Sequence, residues 1–290
     1  MNMQKTTSPQ PVTLYSFLST FLAMARKELL IMARYPVNFI ASFGQMFLTV
    51  SIFTLAGRLF YVPPAEQSGL SNNNSNPAGI VVYGFILYLF LNDTLWTIGY
   101  NVRNEQVQGT LEQLYLSPAS KFANLVARVT NTLIWTGLLS IAGGALMTAL
   151  IGRLPFENPL LGLYLFILSL TGTFGVGFAF AGLTLYIKET AQTLANLLQF
   201  AFLVLCANFF PFAALPSFLR LISRLLPLAY AVDAFRSALM GFPEGFPELA
   251  PFQVEFWIVT IFGLAMPLLG YYVYRSAERH ARKEGSLSNY

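Results

Sequence analysis

The chain has 290 residues, of which 55% are hydrophobic and only 10% charged, with 17 Lys+Arg against 13 Asp+Glu and a mean hydropathy of +0.57. A soluble domain carries about a quarter of its residues as Asp, Glu, Lys or Arg, whereas here the charges stand in clumps between long uncharged runs. This excludes an ordinary soluble enzyme, a disordered chain and a collagen-like fibre, and predicts an all-α integral membrane protein forming one transmembrane domain over residues 1–290.

In chain order, residues 1–13 are polar with two prolines and are expected to be a disordered tail. Residues 14–35 place Leu14, Phe17, Leu18, Phe21, Leu22, Ala25, Leu29 and Met32 at helical spacing, with Arg26, Lys27 and Arg34 largely elsewhere. That pattern predicts an amphipathic helix in the cytoplasmic interface, its basic groups toward lipid headgroups. The plainer alternative is an upstream extension of the first span. Pro36 should end it either way.

Residues 36–275 contain six uncharged runs: Val37–Gly57, Gln67–Asn92, Val129–Gly152, Asn158–Ile187, Thr190–Leu219 and Phe256–Tyr274. About 20 apolar residues of helix cross roughly 30 Å of hydrocarbon, so six transmembrane helices are expected. The second is better drawn as Ile80–Tyr100, because Val62–Ala78 carries Pro63-Pro64, Asn72-Asn73-Asn74 and Pro77 and reads as a loop. Residues 276–290 are a basic tail. With the N-terminus inside, twelve of the 17 Lys+Arg fall on the cytoplasmic side, which places both termini in the cytoplasm of a cell membrane. No secretory signal peptide is expected, since the first apolar run starts beyond residue 35 and is too long for one. The single cysteine, Cys206, lies in an apolar run and has no intrachain partner.

Small residues recur every fourth position in two runs: Thr136, Ser140, Gly144, Thr148 and Gly152 in the third, and Ser169, Thr173, Gly177 and Ala181 in the fourth. Both stripes are expected to be tight helix contacts rather than a ligand groove. After the fifth run come two short helical pieces. Leu215–Leu226 opens with Pro216, carries Arg220 and Arg224 one turn apart, and stops at Pro227. Leu228–Met240 carries Asp233 and Arg236 at i,i+3, close enough to pair, with Gly241 as its cap. Neither piece spans alone, so together they are expected to form a re-entrant outer hairpin that plugs or gates the outer side.

The available chemistry is narrow. One histidine, His280, sits in the basic tail, and the two aspartates, Asp93 and Asp233, are assigned to opposite leaflets. No zinc-type cluster or phosphate-cradling G-x-x-x-x-G-K-[ST] loop occurs, and no basic stripe interleaved with aromatics points to nucleic acid. Asp93 is the polar candidate within a span. A mid-span carboxylate costs roughly 2.5–3.5 kcal/mol on insertion scales and often marks function. It could serve a proton-coupled secondary carrier, or be paired with Arg103 or hydrated from the inner side.

The longest inner loop, Arg103–Lys121, has Leu111, Leu114 and Tyr115 on one helical face and Glu105, Gln108 and Glu112 on another, with Ser117-Pro118 at its end. An apolar knob with a carboxylate rim suits docking into a groove on a soluble partner. Three blocks then resemble the type-2 permeases of ATP-binding-cassette (ABC) transporters. They are Arg26-Lys27-Glu28-Leu29 with Arg34-Tyr35-Pro36; Glu105 with Gly109-Thr110-Leu111-Glu112-Gln113-Leu114; and Leu215-Pro216 through Pro227-Leu228 to Tyr230, Asp233, Ala234 and Arg236.

The resemblance implies a permease dimer, from a second copy or a sister permease, with each half docked on a separate ATPase subunit. That subunit would bind ATP and Mg, and this chain would bind no cofactor. The helix holding Leu111, Glu112 and Leu114 would be the cytoplasmic coupling helix. Arg26, Lys27 and Glu28 would face the ATPase or the membrane surface. Substrate would pass between the permease halves, with the outer hairpins closing the exit. The expected function is the permease of an ABC exporter for an amphipathic drug-like or lipid-linked substrate; the alternative is the carrier built on Asp93.

Overall fold

In a computed structural model of the chain, residues 35–60, 77–100, 121–151, 154–187 and 190–283 are described, with single positions between 22 and 34 and between 102 and 109. Eight α-helices are complete among the described residues: α1 (Pro36–Phe60), α2 (Pro77–Thr94), α3 (Lys121–Ile151), α4 (Pro159–Ile187), α5 (Ala191–Leu205), α6 (Ser217–Ser223), α7 (Pro227–Met240) and α8 (Phe252–Lys283). A π-helix, Leu95–Tyr100, continues α2. Proline opens α1, α2, α4 and α7, where its fixed φ suits the helix and its missing N–H costs nothing.

Among the described residues, four helical segments are long and apolar enough to cross a membrane: Gly79–Tyr100, Arg128–Ala149, Pro159–Ile187 and Phe252–Ala281. The protein is therefore an all-α multi-pass membrane protein. The backbone of α1 covers the first predicted span over 25 residues. The fifth differs. Where the uncharged run extends to Leu219, α5 stops after 15 residues, roughly 22 Å of helix and short of the hydrocarbon thickness. Its end has a local cause. Ala207 takes a left-handed conformation (φ 46°), and the Asn208 side-chain amide donates to the Phe202 and Leu203 carbonyls of the last helical turn. Gly84 of α2 accommodates this turn, since a Cβ there would lie 2.2 Å from the Asn208 carbonyl oxygen.

The most extensive contact is between α4 and α8. Glycines make it: a Cβ on Gly270 would lie 2.0 Å from the Gly175 carbonyl oxygen, and one on Gly175 would lie 2.3 Å from the Met266 carbonyl carbon. Gly263 lies as closely on the Leu168 backbone. Of the two predicted stripes, Ser169, Thr173, Gly177 and Ala181 are buried, and Gly177 sits against Thr94. The α3 stripe departs from expectation. Ser140, Gly144 and Thr148 line a cavity of about 730 Å³ between α2, α3, α4 and α7, and a Cβ on Gly144 or Gly137 would meet nothing within 4 Å. Thr136 points elsewhere, to Asp93, and Gly152 lies outside the described residues.

Helix α7 runs into the core. Every residue from Ala231 to Met240 is buried, packed chiefly against α4 and then against α8 and α2. It ends as anticipated at Gly241, whose φ of 76° allows a left-handed cap. The loop between α3 and α4 is fastened to this end, with Glu157 N–H donating to the Leu239 carbonyl at 3.0 Å and Asn158 to that of Ala238 at 3.3 Å. Helix α8 continues past residue 275 to Lys283, eight residues into the stretch expected as tail. The expected disordered tail lies outside the described residues. Within residues 14–35 the described positions, Arg26 and Arg34 among them, are helical or adjacent to the break at Tyr35, and exposed. Lys27 and Glu28 lie outside them.

Candidate functional site

A cleft of about 480 Å³ opens among α1, α2, α3 and α5, and Asp93 is the one charged residue among the described residues that line it. Asp93 stands in the last turn of α2, two residues before the helix widens into the π-turns of Leu95–Tyr100. Such turns recur at functional sites because they displace side chains from the regular helical faces. Gly99 lets that wider segment press on Phe180 of α4, whose ring carbon would be 2.2 Å from a Cβ.

Asp93 Oδ1 accepts a hydrogen bond from Thr97 Oγ1 and Oδ2 one from Thr136 Oγ1, both at 2.9 Å. Two hydroxyls hold it, and Arg103 is itself buried. A second chain of bonds crosses the cleft: Trp96 Nε1 donates to Gln199 Oε1 at 3.2 Å, and Gln199 Nε2 donates to the Tyr88 hydroxyl at 3.1 Å. Phe85, Tyr88 and Phe209 form an aromatic wall with ring centroids 5.3–6.1 Å apart. The cleft therefore combines one carboxylate, several amide and hydroxyl groups, and ring faces. Sequence reading found Asp93 and missed Gln199, although a glutamine within the uncharged α5 run is the same kind of signal.

The residues of the expected hairpin form a second polar cluster. Asp233 and Arg236 are fully buried and face each other across 3.7 Å, a long separation for an ion pair. Their stronger partners lie elsewhere. Asp233 Oδ2 accepts the N–H groups of Glu248 and Leu249 at 2.7 and 2.8 Å. Arg236 Nη1 donates to the Ala207 and Phe210 carbonyls at 3.1 and 3.2 Å, and its guanidinium lies 5.0 Å from the Phe212 ring centre. Glu255, buried in the first turn of α8, accepts the Ala250 N–H at 3.2 Å. Glu248 accepts that of Ala213 at 2.6 Å. Burial pushes the Glu248 carboxyl above the usual carboxylate range, with Arg236 pulling the other way. Arg236 thus ties the turn after α5 to α7, and Asp233 ties α7 to the loop before α8. This arrangement is a buried fastening, and the predicted pair is one strand of it.

Of the other hairpin residues, Pro216 precedes α6 as its N-cap and Pro227 opens α7. Arg220 donates to the Ala213 and Leu215 carbonyls at 2.6 and 3.2 Å, closing the turn before α6. The Arg224 side chain is exposed, while its carbonyl accepts the Tyr230 hydroxyl at 2.9 Å. Glu248 and Glu255 were not singled out from the sequence, because their burial depends on a loop fold that spacing does not reveal.

In the segment between α2 and α3, Gly109 takes a left-handed φ of 69° two residues after a helical Val107, so the chain turns there. Glu105, Thr110, Leu111, Glu112 and Leu114 lie outside the described residues.

No curated protein matches this sequence. The family described as "ABC-2 family transporter protein" matches residues 61–273, nearly three quarters of the chain and a stretch that contains α2 to α7, the Asp93 region and the Asp233–Arg236 fastening. The chain belongs to the ABC-2 transporter family and is the membrane-spanning permease subunit of an ABC transporter.

Proposed function

We propose that this permease exports an amphipathic drug-like or lipid-linked substrate across the cell membrane, driven by ATP and Mg on a separate ATPase subunit. The family match carries this reading. Six spans are read from the uncharged runs and cytoplasmic termini from the distribution of basic residues, with α5 and the turn after it together forming the fifth crossing. ATPase coupling is assigned to Glu105, Gly109, Thr110, Leu111, Glu112 and Leu114; the left-handed turn at Gly109 changes the chain direction within that segment, so no single helix runs through all six. Arg26, Lys27, Glu28 and Arg34 lie along the membrane surface beside the ATPase. The Asp93 cleft is walled by α1, α2, α3 and α5 and by neither α4 nor α8, so it lies on the flank that a second permease, identical or sister, can cover. That arrangement supports a substrate path between two permease halves. The hairpin fastening closes its outer end.

Inside-out vesicles carrying the permease with its ATPase should accumulate members of a panel of fluorescent amphiphiles when ATP is supplied. Vanadate should stop this and a protonophore should not. Accumulation that needs a proton gradient and ignores ATP would overturn the proposal in favour of a carrier built on Asp93.

A further inference from the structure

We infer that the Asp93 cleft is a binding site for a lipophilic organic monocation, which names a substrate class for the path proposed above and rests on that reading.

The charge balance of the cleft supports this. Among the described residues that line it, Asp93 is the one carboxylate and none is Lys, Arg or His. Thr97 and Thr136 place one hydroxyl on each carboxylate oxygen. Those bonds solvate the group and fix its orientation, but they bring no opposite charge. A carboxylate in a membrane protein is normally balanced by a cation, a cavity or a partner side chain. A guest cation entering the cleft supplies that balance; an anionic guest is repelled, and a neutral glycan leaves the charge as it was.

The walls specify what kind of cation. Inorganic cations such as calcium take six to eight oxygen ligands at short range. Around Asp93 the cleft presents ring faces instead, from Phe85, Tyr88 and Phe209. Aromatic faces carry negative charge density and attract diffuse organic cations, while their area favours an apolar body. Asn92 next to Asp93 keeps a buried Oδ1 without a hydrogen-bond partner, and it too is an acceptor. The volume, about 480 Å³, lies within the roughly 300–1,000 Å³ typical of small-molecule sites. An acceptor-rich, ring-walled cleft with one negative charge therefore fits a cation whose charge is spread over an apolar frame.

The test uses the purified full-length permease in lipid nanodiscs and radiolabelled tetraphenylphosphonium. Tetraphenylborate, of nearly the same shape and opposite charge, is measured in parallel as its own labelled probe, because the two ions pair when mixed. Saturable phosphonium binding is expected, with no saturable binding of the borate. Asp93→Asn should weaken it about tenfold or more, since the charge partner is lost, whereas Asp93→Glu should keep most of it. No saturable phosphonium binding to the wild type, equal saturable binding of the borate, or unchanged binding to Asp93→Asn would each overturn the proposal. Should Asp93→Asn fail to fold, Tyr88→Leu, which removes one ring face of the cleft, takes its place: weaker binding is expected, and unchanged binding would overturn the proposal. Because binding at equilibrium needs no ATPase, loss of the ATP-driven reading would leave this result standing, and the reverse also holds.

Discussion

Replacing Arg236 by alanine should leave a chain that inserts but does not assemble, seen as aggregation in size-exclusion chromatography and loss of a cooperative melt in mild detergent. The guanidinium is fully buried and holds the Ala207 and Phe210 carbonyls, faces Asp233 and lies over Phe212. Removing one member of a buried ionic network costs about 3–5 kcal/mol, because the remaining groups stay desolvated and unpaired. The Ala207 and Phe210 carbonyls, in the turn after α5, would lose this donor, beside a helix already too short to span alone. Arg236→Lys keeps the charge but presents a point ammonium instead of a planar fork, so it should recover only part of the assembly. Asp233→Asn should be milder, since its remaining carbonyl oxygen can still accept the Glu248 and Leu249 N–H groups. An Arg236→Ala protein that melts like the wild type would show that the hairpin is held by its apolar contacts alone.

Gly270→Val should separate α4 from α8. The Cβ alone would sit 2.0 Å from the Gly175 carbonyl oxygen and 2.8 Å from its carbon. Both contacts are with backbone, which cannot swing aside as a side chain can. Overpacking costs about 1–3 kcal/mol where side chains can adjust, so this substitution should exceed that range. The matched control is Gly144→Ala, in a helix of the same bundle but facing open space. There the methyl group meets nothing within 4 Å, and alanine is the better helix former by up to about 1 kcal/mol. Melting curves should therefore be shifted strongly downward by Gly270→Val and hardly at all by Gly144→Ala. Equal effects would mean that the α4–α8 contact is looser than the glycine geometry requires.

Much of the fold was legible because hydrocarbon demands long uncharged helices. The run Asn158–Ile187 differs by one residue from α4, and Pro36, Pro77, Pro159 and Pro227 mark helix starts. What charge counting missed was termination without charge. The run through Leu219 conceals the left-handed Ala207 and the Asn208 side chain that end α5. Likewise, glycines every fourth residue look alike in sequence, yet Gly177 meets Thr94 while Gly144 faces a cavity, because only the third dimension decides which helix lies opposite. Asp93 was conspicuous as a lone charge. Its partners Thr97 and Thr136 were not, since hydroxyls are common on membrane helices and most bond to their own backbone, as Thr148 does with the Gly144 carbonyl. The Asp233–Arg236 spacing indicated a pair, but the carbonyls and N–H groups that hold each residue come from distant turns.

The most direct measurement is a purification of the tagged chain from native membranes in mild detergent, with mass spectrometry of its companions. An ABC permease should bring down a stoichiometric soluble subunit bearing a G-x-x-x-x-G-K-[ST] loop. Glu112→Lys, which reverses the charge on the assigned coupling helix, should remove that subunit without affecting insertion. A chain that emerges alone from several gentle detergents, still folded, would contradict ATP-driven export.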